Sequence, residues 1–353
     1  MHKLMAGVTI LEHELSELRL LVERQAGILL DCPNSALAAH VVEHLENAEL
    51  DSAGMLLDRL RAADQDPAFL PQFLDGVLNT KTGFFRHPGA MSTLARYVTP
   101  QLFARKSSDG PAALRIWSAG CSTGEEAYSI AMALCDALPN ATSSSCGVAS
   151  TNGNKDGREK ASAKGNGGIE NPSPAAYTFG GKDWSVHIVG TDLLPSSIKV
   201  AERGLYPQSA LAGLPPANIR ACFSKISSTN VSQNPVADRI NTTNGSSDAS
   251  NGAHLLVKPR LRSLVTFNTM NLTKPVYIGR FDCIFCMDVL PHLSRSQRTA
   301  LLERLHLYLE PGGYLFLSQT EKLSAPNLNF RPETFDGYTV HRKPLAASAA
   351  YGR

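Results

Sequence analysis

The chain has 353 residues, room for two domains or one domain with inserts, and 43% of them are apolar, enough for a sizeable core. A net charge of +2 makes no case for nucleic acid or an anionic membrane as partner. No run of about 18 apolar residues is present, so no membrane-inserted segment is expected.

The charge is uneven. Residues 1–80 carry five basic and thirteen acidic side chains, so that part stands near −8 and the rest near +10. A solvated helical surface is the simplest account of the acidic head. The seven cysteines are odd in number, with no leader before them, which fits a reducing, cytoplasmic setting. Cys283 and Cys286 have half of a zinc spacing but sit in an apolar run with no second pair. Buried strand thiols are expected there, and no metal site.

In chain order, Leu11, Leu15, Leu18, Leu21, Val22 and Ile28 recur at three- and four-residue steps and predict an amphipathic helix over 8–30. Further helices are expected at about 35–46 and 52–61, with a fourth from about Pro67, making a helical domain over 1–80. From Leu114 strands alternate with helices. Strands are expected at 114–118, 186–191, 264–268, 281–286 and 314–318, with helices at 125–138, 196–203 and 294–309. This alternation predicts an α/β domain over 81–345 with a doubly wound, mostly parallel sheet. A last strand at 338–342 is expected to close its edge. Residues 139–181 and 226–252 are rich in small and polar residues, and are expected to be disordered inserts.

The first strand runs into Ala119-Gly-Cys-Ser-Thr-Gly124, a small-residue turn opening onto a helix. Gly120 and Gly124 alone fit a tight structural turn as well as a nucleotide loop. Asp192 ends the next strand, where a carboxylate hydrogen-bonds ribose hydroxyls in doubly wound folds; capping of the following helix is the competing role. Together the two features favour a ribose-bearing ligand. No GxGxxG is present and no lysine follows Gly124 in a phosphate-loop pattern, which argues against dinucleotides and triphosphates.

Two longer runs carry a resemblance. Leu78-Asn-Thr-Lys-Thr-Gly-Phe-Phe-Arg86 and Ile116-Trp-Ser-Ala-Gly-Cys-Ser-Thr-Gly-Glu-Glu-Ala-Tyr-Ser-Ile-Ala131 resemble the CheR family of chemotaxis-receptor protein-glutamate O-methyltransferases. The likeness spans nearly the whole chain outside the two inserts. It implies a class I, Rossmann-like methyltransferase fold, S-adenosylmethionine as cofactor, S-adenosylhomocysteine as product and a chemoreceptor-like signalling protein as substrate. A monomer is expected. It implies cofactor contacts from Thr80, Thr82, Arg86, Gly120, Glu126, Asp192, Asn271, Leu272, Met287 and Asp288, with Arg86 and His292 at the reacting groups. A receptor-docking β-subdomain would fall within 204–262.

The resemblance has departures. Thr80 stands where the family usually has Asn. Phe285-Cys-Met-Asp-Val-Leu-Pro-His-Leu293 replaces Phe-Cys-Arg-Asn-Val-x-Ile-Tyr-Phe, so Met287 and Asp288 replace an Arg-Asn pair and His292 a tyrosine. Asp288 accepts hydrogen bonds but cannot donate as Asn does. His292 can donate or carry charge; a plain helix-start histidine is its other role. Arg86 is expected to hold an acceptor carboxylate, with a structural ion pair as the alternative. The head, acidic where the family's is usually basic, and the 287–292 run leave two more expectations open. One is a same-fold methyltransferase for another carboxylate or protein acceptor. The other is a non-catalytic module that binds the cofactor or its product.

Overall fold

The computed structural model describes residues 10–62, 65–78, 81–106, 113–137, 176–179, 182–225, 254–323 and 327–345. Thr80, Cys146 and nearly all of both expected inserts lie outside the described residues.

Four helices open the chain: α1 (Glu12–Ala26), α2 (Asn34–Asn47), α3 (Ala53–Arg61) and α4 (Phe69–Val77). α1 is shorter than its apolar stripe suggests. Gly27 takes φ +73°, a left-handed C-cap whose N–H reaches back to the Glu23 carbonyl, and the helix ends there. Ile28 therefore leaves the helical stripe and forms a β-bridge with Leu293 instead. α3 starts at Ser52, whose Oγ accepts from Met55 N at 3.3 Å.

Next come α5 (Pro88–Thr93), a π-helical turn (Leu94–Val98), α6 (Thr99–Lys106), β1 (Ala113–Ala119) and α7 (Glu125–Ala137). The chain continues through β2 (Ala176–Phe179), β3 (Lys182–Asp192), α8 (Pro195–Arg203), β4 (Leu205–Pro207), α9 (Pro216–Cys222), β5 (Phe223–Lys225), β6 (His254–Val257) and α10 (Pro259–Arg262). It closes with β7 (Val265–Thr269), β8 (Phe281–Phe285), α11 (Arg295–Tyr308), β9 (Leu309–Phe316), β10 (Arg331–Phe335) and β11 (Tyr338–Arg342).

The main sheet runs β10-β11-β9-β8-β1-β3, with β7 and β2 both along the outer edge of β3. β7, β3, β1, β8 and β9 are parallel, and β2, β10 and β11 are antiparallel to their neighbours. The doubly wound, mostly parallel α/β sheet is therefore present. Three details differ from the expectation. Residues 176–179 lie within the expected first insert yet form β2, because the backbone of β3 extends back to Lys182 and offers them a ladder. β11 is not the edge; β10 lies outside it, joined by the Asp336-Gly337 turn, both residues at positive φ (47° and 80°). The strand expected from 314 already starts at Leu309, and Pro311-Gly312-Gly313 is part of it. There Phe281 faces Leu309 and Cys283 already faces Tyr314, so residues 310–313 bow out of register.

Side chains alternate across the sheet. Leu114 and Ile116 of β1 join one core with α5–α7, while Trp117 and Ala119 join another with α1–α4 and α11. The head helices and one sheet face thus share a continuous apolar core. A separate three-stranded antiparallel sheet, β4-β6-β5, occupies the segment in which the β-subdomain was expected. Cys283 is a fully buried thiol of β8 and Cys286, also fully buried, lies one residue beyond its end; no metal-ligating cluster is present among the described residues.

Candidate active site

Parallel strands leave their C-terminal ends on one edge, and the loops that follow β1, β3, β7 and β8 open there into a cavity of about 300 Å³. Thr82, Arg86, Gly120, Glu126, Asp192, Asn271, Leu272, Met287, Asp288 and His292 all line it. Ten of the expected site residues, distant in sequence, are thus brought together.

The loop after β1 is fixed by backbone needs. Gly120 and Cys121 donate to the Thr191 carbonyl at 2.8 and 2.9 Å, which joins the ends of β1 and β3. Gly120 has φ +84°, and a Cβ there would lie 2.5 Å from Val289 Cγ2. Ser122 is at φ 49°, and its N–H donates to Asp192 Oδ2 at 2.8 Å. Asp192 Oδ1 accepts from Leu194 N at 3.0 Å. So Asp192 both clamps the loop and turns the chain towards α8, while its oxygens keep lone pairs free for a cavity ligand. Burial raises its carboxyl pKa against those backbone donors.

Glu126 stands one residue into α7 and accepts from Ser118 Oγ at 2.6 Å. Burial, first, and then the carboxylates of Asp288 and Glu321 push its pKa up to about 7, opposed by the Ser118 hydrogen bond and the Arg86 charge.

The wall from Lys81 to His87 is a turn pinned to α7. Phe85, at φ 50°, donates its N–H to Ser129 Oγ at 2.9 Å. Phe84 packs edge-on against Tyr206 and Phe223, ring centroids 5.0 and 5.4 Å away, which couples this turn to the small sheet. That leaves Arg86 facing the cavity, half exposed. One nitrogen donates to the Lys81 carbonyl and the other pairs with Asp288 Oδ2 at 3.1 Å. The same oxygen meets His87 Nε2 at 2.9 Å.

The opposite wall rests on the head. Asn271 Nδ2 donates to the Ala26 carbonyl at 3.2 Å, its Oδ1 accepts from Thr273 N at 2.9 Å, and Thr273 Oγ1 also reaches Ala26 O at 2.9 Å. Asn271 therefore ties the end of α1 to the cavity rim, and Leu272 adds apolar surface beside Leu193 and Met270. His292 ends a short 3₁₀ turn on the rim; its carbonyl accepts from Leu29 N at 2.8 Å, and its ring is exposed.

Lys81, His87, Cys121, Ser122 and Ser129 are cavity residues that reading the chain alone passed over. His87 directly follows the arginine of the motif, and that adjacency was its only signal.

A family model described as "CheR methyltransferase, SAM binding domain" matches residues 80–164 and 175–338. The chain belongs to the CheR methyltransferase family. It is 28% identical over 309 residues to the chemotaxis protein methyltransferase 1 of Pseudomonas aeruginosa, covering 87% of this chain and 89% of that one. It is 26% identical over 314 residues to the chemotaxis protein methyltransferase Cher2 of Pseudomonas putida, covering 88% and 90%. This CheR-type chain is thus an S-adenosylmethionine-dependent methyltransferase on a Rossmann-like sheet.

The donor set of the cavity fits that cofactor. Asp192 at a strand end can take a diol, Glu126 and Asp288 can take an ammonium, and Lys81 can take a carboxylate. Leu193, Leu272 and Met270 form apolar walls for a flat ring. No helix of the described residues is long and apolar enough to cross a membrane.

Proposed function

We propose that this chain transfers the methyl group of S-adenosylmethionine to glutamate side-chain carboxylates of a chemoreceptor or receptor-like signalling protein, as a cytoplasmic monomer. The observation that carries this reading is the Arg86 guanidinium on the cavity wall, held by Asp288 and the Lys81 carbonyl. A guanidinium fixed in this way offers its remaining donors to an incoming carboxylate in a defined direction.

Bound S-adenosylmethionine supplies an electrophilic methyl on a sulfonium, which an ionised carboxylate attacks without a general base. The chain's own residues have positioning work to do. Asp192 receives the ribose hydroxyls, Glu126 and Asp288 receive the amino group, and Asn271 and Leu272 border the adenine. Thr82 and Met287 complete the wall beside Arg86, and Gly120 lets the ligand approach the loop backbone. His292 stands on the rim where the acceptor side chain enters. The division into a helical head over 1–80 and a methyltransferase domain over 81–345 belongs to the same reading, with the β4-β6-β5 sheet as the receptor-docking element.

One observation favours a second reading, a different carboxylate or protein acceptor. Met287, Asp288 and His292, where the family has Arg, Asn and Tyr, all line the cavity. Radiolabelled methyl transfer to receptor cytoplasmic fragments, followed by base-labile release of methanol, separates the two. Label on glutamates supports the first; label only on other proteins or small carboxylates overturns it.

A further inference from the structure

Glu321 lies beyond β9, outside every motif that carries the family resemblance and outside the residues that line the cavity. Its carboxylate is nevertheless the hub of the cavity's C-terminal wall. Oε2 accepts from Ser318 N at 2.9 Å and from Asp288 N at 3.2 Å, and Oε1 accepts from Leu290 N at 2.9 Å. Three backbone donors from two loops, the β8 exit and the β9 exit, thus converge on one side chain. Such a carboxylate fixes the relative position of both loops, because each bond is charge-assisted and none is replaced by water without opening the wall.

The geometry it holds is a specific one. Asp288 has φ +58°, in the left-handed region, which Asp enters more readily than most residues with a side chain. That backbone setting turns the Asp288 carboxylate towards both Arg86 and His87. Two residues on, Leu290 begins the turn that ends at His292. One carboxylate outside the cavity therefore sets Asp288 directly and, through it and the 290–292 turn, bears on Arg86, His87 and His292.

We propose that Glu321 is a positioning residue of the methyltransferase site: it holds the β8 exit so that Asp288 engages Arg86 and His87 and the 290–292 turn forms the rim. The inference rests on the assignment of this cavity to the cofactor.

The test is calorimetry of the full chain with S-adenosylhomocysteine, beside thermal unfolding. Glu321→Gln keeps the shape but turns one of the acceptor oxygens into a donor, so it repels at least one of the three N–H groups. It is expected to weaken S-adenosylhomocysteine about tenfold at temperatures where the protein is folded. A second readout separates positioning from general damage. Glu126 faces Ser118, Asp288, Glu321 and Arg86, and the Glu321 charge helps to raise its pKa. With that charge removed, the loss of affinity on acidification should move to lower pH. A change in stability alone does not move it. Should Glu321→Gln not fold, Glu321→Asp keeps the charge and shortens the reach, and weakening of binding is again expected. The proposal is overturned if the folded variant binds S-adenosylhomocysteine as tightly as wild type with an unmoved pH profile. If the wild-type chain itself does not bind, the cofactor assignment fails, whatever Glu321 does.

Discussion

The two walls of the cavity are built differently. On one side, 82–86, 120–126 and 192 are short runs whose groups are held by the end of the adjacent strand or by α7. Phe85 rests on Ser129, Ser122 on Asp192, and Gly120 on Thr191. On the other side, 271–273 and 287–293 are held by partners far along the chain: Ala26, Leu29, Arg86, His87 and Glu321. The first wall is carried by two motif runs that pack on each other and on β3. The second exists only once the head, the sheet and the segment after β9 have come together.

The sharpest way to break that contrast is Arg86→Ala, which removes one of two groups, with His87, that pair with Asp288 across the walls. Methyl transfer is expected to fall by about a hundredfold or more, as when a charged donor at the reacting group is lost. Affinity for S-adenosylhomocysteine should change far less. Comparable losses in binding and transfer would make Arg86 a cofactor clamp and not an acceptor clamp.

Asp192→Ala tests the first wall. It leaves the N–H groups of Ser122 and Leu194 without their acceptor and removes the expected ribose contact. Loss of charge-assisted bonds of this kind corresponds to roughly ten- to a hundredfold in affinity. Asp192→Asn, which keeps one acceptor oxygen, should recover part of it. Titration with S-adenosylhomocysteine reads both.

Glu126 sharpens the comparison through pH. Its folded-state pKa is raised to about 7 by burial, so the folded chain keeps a proton that the unfolded chain releases in the ordinary glutamate range. Its contribution to stability is full below that range and is lost as pH rises through about 7. Unfolding midpoints of Glu126→Gln, measured against pH, should therefore lack this part of the decline seen in wild type. Parallel curves for the two proteins would show that Glu126 is already ionised when folded. An ammonium placed beside Glu126 favours its ionised form. Cofactor binding near neutrality should then release protons, seen as a dependence of the calorimetric heat on buffer ionisation enthalpy.

The smallest effect is expected on the second wall. Asn271→Ala removes one bond to the end of α1 and the acceptor of Thr273 N, together worth about 2 kcal/mol in stability by denaturant unfolding. Thr273 Oγ1 still reaches the same carbonyl.

The α/β alternation was legible because buried parallel strands are short apolar runs and helices carry three- and four-residue steps. The glycine turn and the strand-end Asp192 were legible because a loop at a parallel edge needs small residues and a nearby acceptor. The β10–β11 hairpin had a signal in Asp336-Gly337 between Phe335 and Tyr338, a pair suited to two positive φ angles. Ile28 was misplaced in a helix because an apolar stripe continues past Gly27, and only the left-handed cap ends it. His87 and Glu321 carried no local signal. A lone histidine and a lone glutamate read as solvated side chains until their partners, 201 and 33 residues away, are in place.

Sequence by itself determined that the chain builds a doubly wound sheet with a small-residue loop after its first strand and Asp192 at the end of the next, because periodicity and backbone permissiveness are local properties. Thr82, Arg86 and Glu126 were marked by the resemblance of their runs to the family's motifs. Tertiary structure alone decided that Asp288 takes a left-handed backbone, occupies Arg86 and His87, and is held there by Glu321. Those choices are made by hydrogen bonds and charges that meet only when distant segments pack, where burial makes each unpaired group costly and each paired one directional.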